Sequence, residues 1–361
     1  GALKVIRKAQ VPVVPIYFHA KNSKLFYFLS KINDTLRTAK LPSELLTQKK
    51  RVIKVRIGKP ISVAEQNEYE SIEEYSEFLR KKTYMLANPF EKDNNFLNTN
   101  PLKGHKSPKK IVTPASSEKM IREVENLRTL DCRLLQSKNY EVFFAKAKDI
   151  PNILHEIGRL REITFREVGE GTNESIDLDK YDQYYRHLFL WDDETNKIAG
   201  AYRMGLGCEI YPKYGMDGFY LNGLFRFEPE LHEMLHKSIE MGRAFIIKEY
   251  QQKPMPLFLL WRGIIHTTLH YPEHKYLLGG VSISNQFSDF SKSLMIEFMK
   301  SHYYDPYIAQ YVHPKKEYKV KLKDADKDFV FNETDADLNK FDKIIDELEP
   351  GVLRLPVLIK K

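Results

Sequence analysis

The chain of 361 residues predicts an α/β fold built around a mixed sheet. Three observations carry that prediction. From residue 140 onward, short apolar runs of strand type alternate with longer segments of helical spacing. Two of the strand runs, His187-Leu-Phe-Leu-Trp191 and Lys197-Ile-Ala-Gly-Ala-Tyr-Arg203, face each other across Asp-Asp-Glu-Thr-Asn as a hairpin. Finally, 42% of the residues are apolar, enough to pack the roughly two domains that this length suggests.

In chain order, Val11-Pro-Val-Val-Pro-Ile-Tyr-Phe18 and Arg51-Val-Ile-Lys-Val-Arg-Ile57 read as strands that pair, the second alternating apolar and basic residues. Ser71 to Met85 has helical spacing through Ile72, Tyr75, Phe78 and Leu79. The stretch from Asn88 to Pro114 is rich in Asn, Lys and Pro, which sets expected domains at 1–87 and 118–361 with a linker at 88–117. Tyr140 to Ala145 is a strand, and Asp149 as N-cap with Pro151 in the first turn opens a helix running toward Arg161. After the hairpin the expected order is helix Glu228 to Glu240, buried strand Gly242 to Ile247, helix Pro256 to Leu269, strand Tyr276 to Ser284 and helix Phe287 to Tyr303.

Charge is unevenly placed. Residues 1–60 carry 14 Lys/Arg against Asp34 and Glu44, a balance of +12 within a total of +8, so the rest of the chain is net −4. A basic face of this kind suits anionic lipid, an acidic carrier protein or nucleic acid. Nucleic acid is disfavoured, because Tyr17, Phe18, Phe26, Tyr27 and Phe28 read as sheet and helix core and no reader module is present. The Lys21 to Arg37 stretch, with Leu25, Phe26, Phe28, Leu29 and Ile32 among lysines, reads either as an amphipathic membrane-surface segment or as a core-facing helix. Two cysteines, Cys132 and Cys208, make neither a disulfide framework nor a zinc-thiolate set, so a reducing compartment is expected. No apolar run approaches the ~20 residues of a membrane span, and Gly-Ala-Leu-Lys-Val-Ile-Arg-Lys-Ala lacks a signal-peptide core. The expected location is cytoplasmic, with peripheral contact to the inner membrane face.

Across the middle of the chain lies a spaced set of ionisable residues: Arg161-x-x-x-Phe165, Asp179-x-x-Asp182, Tyr202-Arg203 and Glu240-Met-Gly-Arg243. The strand–helix order carries these segments toward one cleft. A carboxylate beside guanidinium groups there suits transfer of an acyl group onto an amine. Each pair alone also has a plain reading, as an ion pair tying helix to sheet.

In combination the residues carry a resemblance. The hairpin ending in Gly-Ala-Tyr-Arg203, the Glu240-Met-Gly-Arg-Ala-Phe segment, Leu-Leu-Trp-Arg-Gly263 and Leu-Leu-Gly-Gly-Val-Ser-Ile-Ser284 resemble the ornithine-lipid and glycine-lipid N-acyltransferases, a group also labelled hemolysin-like. The region is also similar to the acyl-homoserine-lactone synthases, whose ordered Arg-x3-Phe, Asp-x-x-Asp, strand arginine and Glu-x-x-Arg pattern is met at Arg161/Phe165, Asp179/Asp182, Arg203 and Glu240/Arg243. The resemblance spans about residues 120 to 300. It implies a GNAT-like mixed sheet flanked by helices. It further implies an enzyme of aminolipid synthesis that moves a long-chain 3-hydroxy fatty acyl group from acyl carrier protein to the amine of glycine or ornithine, without a tightly bound cofactor.

The front of the chain looks different. Gly1-Ala-Leu-Lys, Val11-Pro-Val-Val-Pro-Ile16 and Ile57-Gly-Lys-Pro-Ile61 resemble the last portion of a glycerolipid O-acyltransferase domain of the lysophosphatidate-acyltransferase type. That implies an N-terminal partial α/β domain. The His-x4-Asp block such a domain uses is missing ahead of it, so the chain is expected to be a fragment, cut at both ends, of a fused two-activity lipid acyltransferase.

The chemistry assigns expected roles. An amino-acid amine is mostly protonated at neutral pH, so attack on a thioester needs a base and donors for the developing oxyanion. Glu240 is the candidate base, with Arg243 holding it or binding the substrate carboxylate. Arg161 and Arg203 are candidates to clamp that carboxylate or the carrier's phosphate, with Phe165, Asp179 and Asp182 in the substrate-binding set. Cys208 reads as a passive thiol, since no Cys–His partnership is evident. The loop Tyr250-Gln-Gln-Lys-Pro-Met-Pro256 contains no glycine for a pyrophosphate cradle. This favours acyl carrier protein over acyl-CoA, docked through Lys248, Lys253 or Arg262.

Two further motifs are weighed and set aside. His232-Glu-Met-Leu-His236 satisfies His-Glu-x-x-His, but no third zinc ligand follows at a suitable offset and Ile239 stands where an extended motif wants glycine. No metal is expected. His187-Leu-Phe-Leu-Trp-Asp192 fits His-x4-Asp but lies inside a strand. The remaining alternatives are lysophospholipid O-acylation by the full-length fusion, acyl-homoserine-lactone synthesis, and a noncatalytic membrane-binding module.

Overall fold

The structure is a computed structural model and describes residues 2–20, 22–32, 34–47, 52–87, 107–322, 336–349, 355–356 and 359. The chain divides into two compact units, residues 1–100 with 287–302 and 320–361, and residues 101–286 with 303–319.

In the first unit, α1 (Ala2–Ala9) leads to β1 (Ile16–His19), helices α2 (Lys24–Ile32) and α3 (Asp34–Thr47), β2 (Lys54–Ile57), α4 (Val63–Asn67) and α5 (Ile72–Met85). The expected pairing holds: β1 and β2 are antiparallel in the register Ile16↔Ile57 to His19↔Lys54. The strand expected over 11–18 is shorter, with only a bridge from Val13 to Ile61 ahead of β1, because Pro12 and Pro15 have no N–H for a ladder. Ser71 and Glu74 cap α5 reciprocally, and Tyr75, Phe78 and Met85 are buried. In the Lys21 to Arg37 stretch Phe26 is buried, whereas Leu25 and Phe28 are exposed; Lys21 and the Ile32 side chain lie outside the described residues.

The helix expected over 287–303 forms at Asp289–His302 but belongs to the first unit rather than the second. Its Phe298 stacks on Phe341 of the helix Leu338–Leu348 at 4.0 Å between centroids, and Glu349 accepts from the Ser288 N–H at 2.9 Å. Apolar contacts of this kind decide which core a helix joins. The expected linker residues 88–106 lie outside the described residues. The following stretch is tied to the second unit, Lys109 N donating to Asn173 O and Val112 N to Ser175 O.

The second unit is a six-stranded sheet in the order β3-β4-β5-β6-β8-β9, formed by β3 (Arg133–Ser137), β4 (Tyr140–Lys146), β5 (Arg186–Asp192), β6 (Lys197–Leu206), β8 (Ser238–Ile246) and β9 (Tyr276–Gly279). All neighbours are antiparallel except β8 and β9, which are parallel. A small second sheet pairs β7 (Phe225–Phe227) with β10 (Val312–Pro314).

Period-two alternation splits the core into two layers. Phe143, Phe189 and Trp191 face α6 (Ser117–Thr129) and α7 (Pro151–Glu167), through Val124, Leu127, Ile153 and Ile157. Val142, Leu188, Leu190 and Met204 face α11 (Pro254–His270), which follows the short α10 (Lys248–Gln251), through Leu259, Leu260 and Ile264. Each such buried side chain stabilises by about 1.5–3 kcal/mol. A third cluster of Tyr185, Ile210, Phe219, Leu231 and Leu235 gathers α8 (Gly207–Tyr214) and α9 (His232–His236) beside the sheet.

Three boundaries differ from expectation. Asp149 does not cap α7; it ends a 3-10 turn, and the first N–H groups of the helix, those of Asn152 and Ile153, go to the Glu123 carboxylate at 2.8 Å each. Instead of one helix from Glu228 to Glu240, a 3-10 turn at Pro229–Leu231 and the short α9 are followed by β8. Ile239 and Met241 suit a helix face equally well, but pairing with β6 on one side and β9 on the other claims them for the sheet. The strand expected to Ser284 stops at Gly279. Among the described residues no helix is long and apolar enough to cross a membrane.

Candidate active site

The site is assembled where α7, a turn after it, and strands β6 and β8 converge. Helix α7 supplies Arg161, only 1% exposed. Its Nη1 and Nη2 donate to Oδ1 and Oδ2 of Asp182 at 2.9 and 3.1 Å, while Nε and Nη2 reach Asp177. The next residue, Glu162, accepts from Thr172 N, Thr172 Oγ1 and Asn173 N at 3.0, 2.6 and 2.8 Å and so pins the returning loop. Gly158 lets that loop close on the helix, since a Cβ there would stand 2.6 Å from Leu178 Cγ, and Asp177 N donates to Gly158 O at 3.1 Å.

The Asp179-x-x-Asp182 spacing is a reciprocal cap around the 3-10 turn Lys180–Gln183. Asp179 N donates to Asp182 Oδ2 at 2.8 Å and Tyr181 N to Asp179 Oδ1 at 2.9 Å. Arg203 on β6 is buried and pairs with both, at 2.6 Å from Asp179 Oδ1 and 3.2 Å from Asp182 Oδ2. Its guanidinium lies 5.3 Å from the ring centroids of Tyr185 and Tyr220. Burial works to raise the Asp182 carboxyl, but the Arg161 fork, the charge of Arg203 and the Asp179 N–H outweigh it and hold it well below the usual carboxylate range. His187 on β5 touches this group from behind, its Nε2–H donating to Asp182 O at 2.9 Å. Burial lowers the imidazole to about 4, so it is neutral at pH 7.

Glu240 lies inside β8, not at a helix-to-strand junction, and is 2% exposed. Its Oε1 accepts from Leu221 N at 2.6 Å, and its Oε2 accepts from Tyr220 N at 2.9 Å and from the Tyr185 hydroxyl. A carboxylate offers about four lone-pair positions, so one on Oε1 stays open. Burial raises the Glu240 carboxyl above its ordinary value, only partly opposed by the Tyr185, Leu221 and Tyr220 hydrogen bonds and the Arg203 charge. The charge tally agrees: Arg161, Arg203 and Arg243 are matched by Asp177, Asp179 and Asp182, which leaves an ionised Glu240 in excess.

Residues three apart on a strand point to opposite faces, yet Glu240 and Arg243 serve one face. The β6–β8 register explains this, with Ala201↔Phe245 followed by Arg203↔Gly242. One residue of β6 there opposes two of β8, a bulge with Arg243 in the left-handed region at φ 51°. The extra residue turns Arg243 back toward Asp177 and Asp179, which it reaches at only 3.6 and 3.8 Å. It is 22% exposed, lies 5.6 Å from the Tyr220 ring centroid, and its Nε has no hydrogen-bond partner. Arg243 is therefore the most loosely held of the three arginines.

Of the residues singled out from sequence, Arg161, Asp179, Asp182, Arg203, Glu240 and Arg243 converge. Phe165 is half-buried and packs against the α6–α7 core layer instead. Lys248, Lys253 and Arg262 are exposed and separately engaged: Lys248 with Glu167 at 4.0 Å, Lys253 over the Tyr250 ring at 4.0 Å and Arg262 over Phe258 at 5.9 Å. His232 hydrogen-bonds Tyr211 at 3.2 Å from a helix of five residues. Asp192 accepts from Asn139 and Tyr250 at 2.6 Å each, far along β5 from His187. Asp177, Tyr185 and Tyr220 went unremarked in the sequence, and His187 was noticed only within the His-x4-Asp match that was set aside. Asp177 stands two residues before Asp179, the signal that was there to read.

A sheet with one parallel edge pair, helices on both faces and a buried acid–arginine centre define an acyltransferase unit of the GNAT type. Residues 160–261 match the family of acetyltransferase (GNAT) domains, and residues 2–93 match a second family described as acyltransferase. The chain thus carries a GNAT-type acyltransferase domain, preceded by a segment that matches another acyltransferase family. Among curated proteins it is 32% identical over 206 residues to the glycine N(alpha)-acyltransferase of Bacteroides thetaiotaomicron, covering 54% of this chain and 60% of that protein. The identity is again 32% over 206 residues with the glycine N(alpha)-acyltransferase of Phocaeicola vulgatus, covering 54% of this chain and 63% of that one. The chain therefore spans a little over three-fifths of those relatives at most. No solved structure matches it significantly.

Proposed function

We propose that the chain transfers a long-chain, 3-hydroxylated fatty acyl group from acyl carrier protein to the amine of a small amino acid, glycine ahead of ornithine, in aminolipid synthesis. The observation that carries this reading is the pairing of a loosely held guanidinium with a surplus carboxylate on one strand. Arg243 has the exposure and the spare donors to take an amino-acid carboxylate. Glu240, with one open lone pair and a raised pKa, is suited to take the amine's proton directly or through the Tyr185 hydroxyl. Proton uptake by Glu240 also brings the buried charges into balance.

In this reading the free amine attacks the thioester carbonyl, a C–N bond forms, the C–S bond breaks, and the thiol leaves on its carrier. Strand β8 runs on to Ile246 after its last pairing with β9, Met241↔Gly279. That outer edge suits an extended, amide-bearing pantetheine arm. Exposed Lys248, Lys253 and Arg262 favour an acidic carrier protein, and the absence of glycine from 250–256 disfavours a pyrophosphate cradle. The basic first sixty residues, with Leu25 and Phe28 exposed, support peripheral attachment to an anionic membrane on its cytoplasmic side.

The test is mass spectrometry of products after incubation with long-chain acyl carrier protein or acyl-CoA and a panel of amino acids. N-acylglycine formed from the carrier-bound donor supports the reading. Folded protein that acylates no amine from either donor rejects it.

A further inference from the structure

Outside the acid–arginine centre, three side chains of metal-binding type come together at a corner of the GNAT-type unit. We propose that Cys208, Glu273 and His274 form a binding site for a divalent transition-metal ion of the zinc class, with a fourth position left to water.

The donor atoms of the three residues lie within 4.8 Å of one another. Cys208 Sγ stands 3.7 Å from Glu273 Oε1, and His274 Nδ1 stands 3.5 Å from the same oxygen. Zinc bonds of about 2.0–2.3 Å in tetrahedral array put neighbouring donors about 3.3–3.8 Å apart, the spacing already present between the cysteine sulfur and the Glu273 oxygen. The backbone fixes both sides of the site. Gly207, just before the cysteine, packs so closely that a Cβ would stand 2.5 Å from His236 O. On the other side, His274 N donates to Tyr271 O at 3.0 Å and Lys275 N to Lys237 O at 2.7 Å.

His274 is oriented as a ligand would be. Its side chain is buried and its Nδ1 lies 3.3 Å from Tyr271 O, a carbonyl that can only accept, so Nδ1 carries the proton and Nε2 is the nitrogen an ion would take, in place of the long hydrogen bond it accepts. The group facing Nε2 is the Cys208 N–H at 3.5 Å, the outer limit of a hydrogen bond. Thiolate and carboxylate together carry two negative charges, which a dipositive ion neutralises. The nearby Glu209 is already paired with Arg186. A cysteine binds a metal as thiolate, so the thiol would give up its proton to solvent on binding. A mixed sulfur, nitrogen and oxygen set favours zinc or cobalt over magnesium or calcium. Such a clamp would tie the β6–α8 corner to the loop entering β9.

The experiment is cobalt(II) titration of the reduced full chain, read by absorption and free of any acyl substrate. One ion per chain is expected, with a thiolate-to-cobalt charge-transfer band that added zinc removes. Cys208→Ser, which is nearly isosteric, abolishes the band, and His274→Ala weakens binding at least about tenfold. Cys132→Ser and the double variant His232→Ala/His236→Ala leave it unchanged. The proposal is overturned if folded wild-type protein shows no such band, if the band survives Cys208→Ser, or if it follows Cys132 or the His232/His236 pair.

Discussion

Arg161 holds Asp182 in a two-pronged fork, Nη1 to Oδ1 at 2.9 Å and Nη2 to Oδ2 at 3.1 Å, with both side chains all but sealed from solvent. A buried fork of this kind contributes little net energy when intact, yet removing one partner leaves the other with only Asp177 or Arg203 to balance it, at a cost of up to about 3–5 kcal/mol. Asp182→Asn and Arg161→Met should therefore each lose roughly that much stability in urea titrations monitored by circular dichroism. The Arg161→Met/Asp182→Leu pair should recover part of it, because neither charge is then left alone.

Acid should act in two windows. His187, at about 4 in the folded protein against an ordinary value of about 6.5, takes up its proton on unfolding first, so stability falls as pH drops from about 6.5 toward 4. Asp182 is shifted downward, so its contribution is complete above the ordinary carboxylate range of about 4 and is lost as pH falls further below it. His187→Asn should remove the upper window from the stability–pH curve and leave the lower one.

Arg243 pays a conformational penalty for its position at φ 51°. Arg243→Gly should restore about 1 kcal/mol relative to Arg243→Ala, while both remove the proposed substrate-carboxylate contact. If Arg243 holds the amino-acid carboxylate as proposed, both variants should raise KM for the amino acid at least tenfold and leave the acyl-donor KM near wild type. Equal KM values for the amino acid in wild type and variants would remove Arg243 from substrate binding.

The Tyr185 hydroxyl donates to Glu240 and lowers its pKa against the larger effect of burial. A base must be ionised to work, so activity should rise with pH through the raised Glu240 value. Tyr185→Phe should move that limb upward by about one pH unit, the worth of one hydrogen bond to a charged acceptor. An unchanged limb in steady-state pH profiles would argue that another group sets it.

Gly207→Ala should destabilise the second unit by about 1–3 kcal/mol, since the new methyl meets backbone carbonyls of Leu235, His236 and Ser238 rather than movable side-chain tips. Gly242→Ala, with open space at its Cβ, should cost far less. Thermal melts of the two variants side by side check the contrast.

Much of this was legible in the sequence, for identifiable reasons. The hairpin of β5 and β6, helix α7 and helix α11 follow from periodicity with clear end signals, and the Asp179/Asp182 spacing is itself a capping box. The Glu240-x-x-Arg243 spacing was visible, but why it puts both side chains on one face was not. It needs a bulge that only the β6 register reveals, and helical and strand patterns are degenerate over Ile239 and Met241. Asp177 was hidden because its partner Arg161 lies across a loop whose path depends on Gly158 and Glu162. Phe165, placed in the site by pattern, packs half-buried against the core layer of α6 and α7, a position that spacing alone does not reveal.

The central claim is that Glu240 and its arginine neighbours perform acyl transfer to an amino-acid amine, and isotope-labelled glycine tests it most directly. Wild-type chain with long-chain acyl carrier protein should yield labelled N-acylglycine by mass spectrometry, and Glu240→Gln, folded by circular dichroism, should yield it about 10²- to 10⁴-fold more slowly with the pH-dependent limb gone. Product formed by Glu240→Gln at the wild-type rate and with the wild-type pH profile would contradict the account.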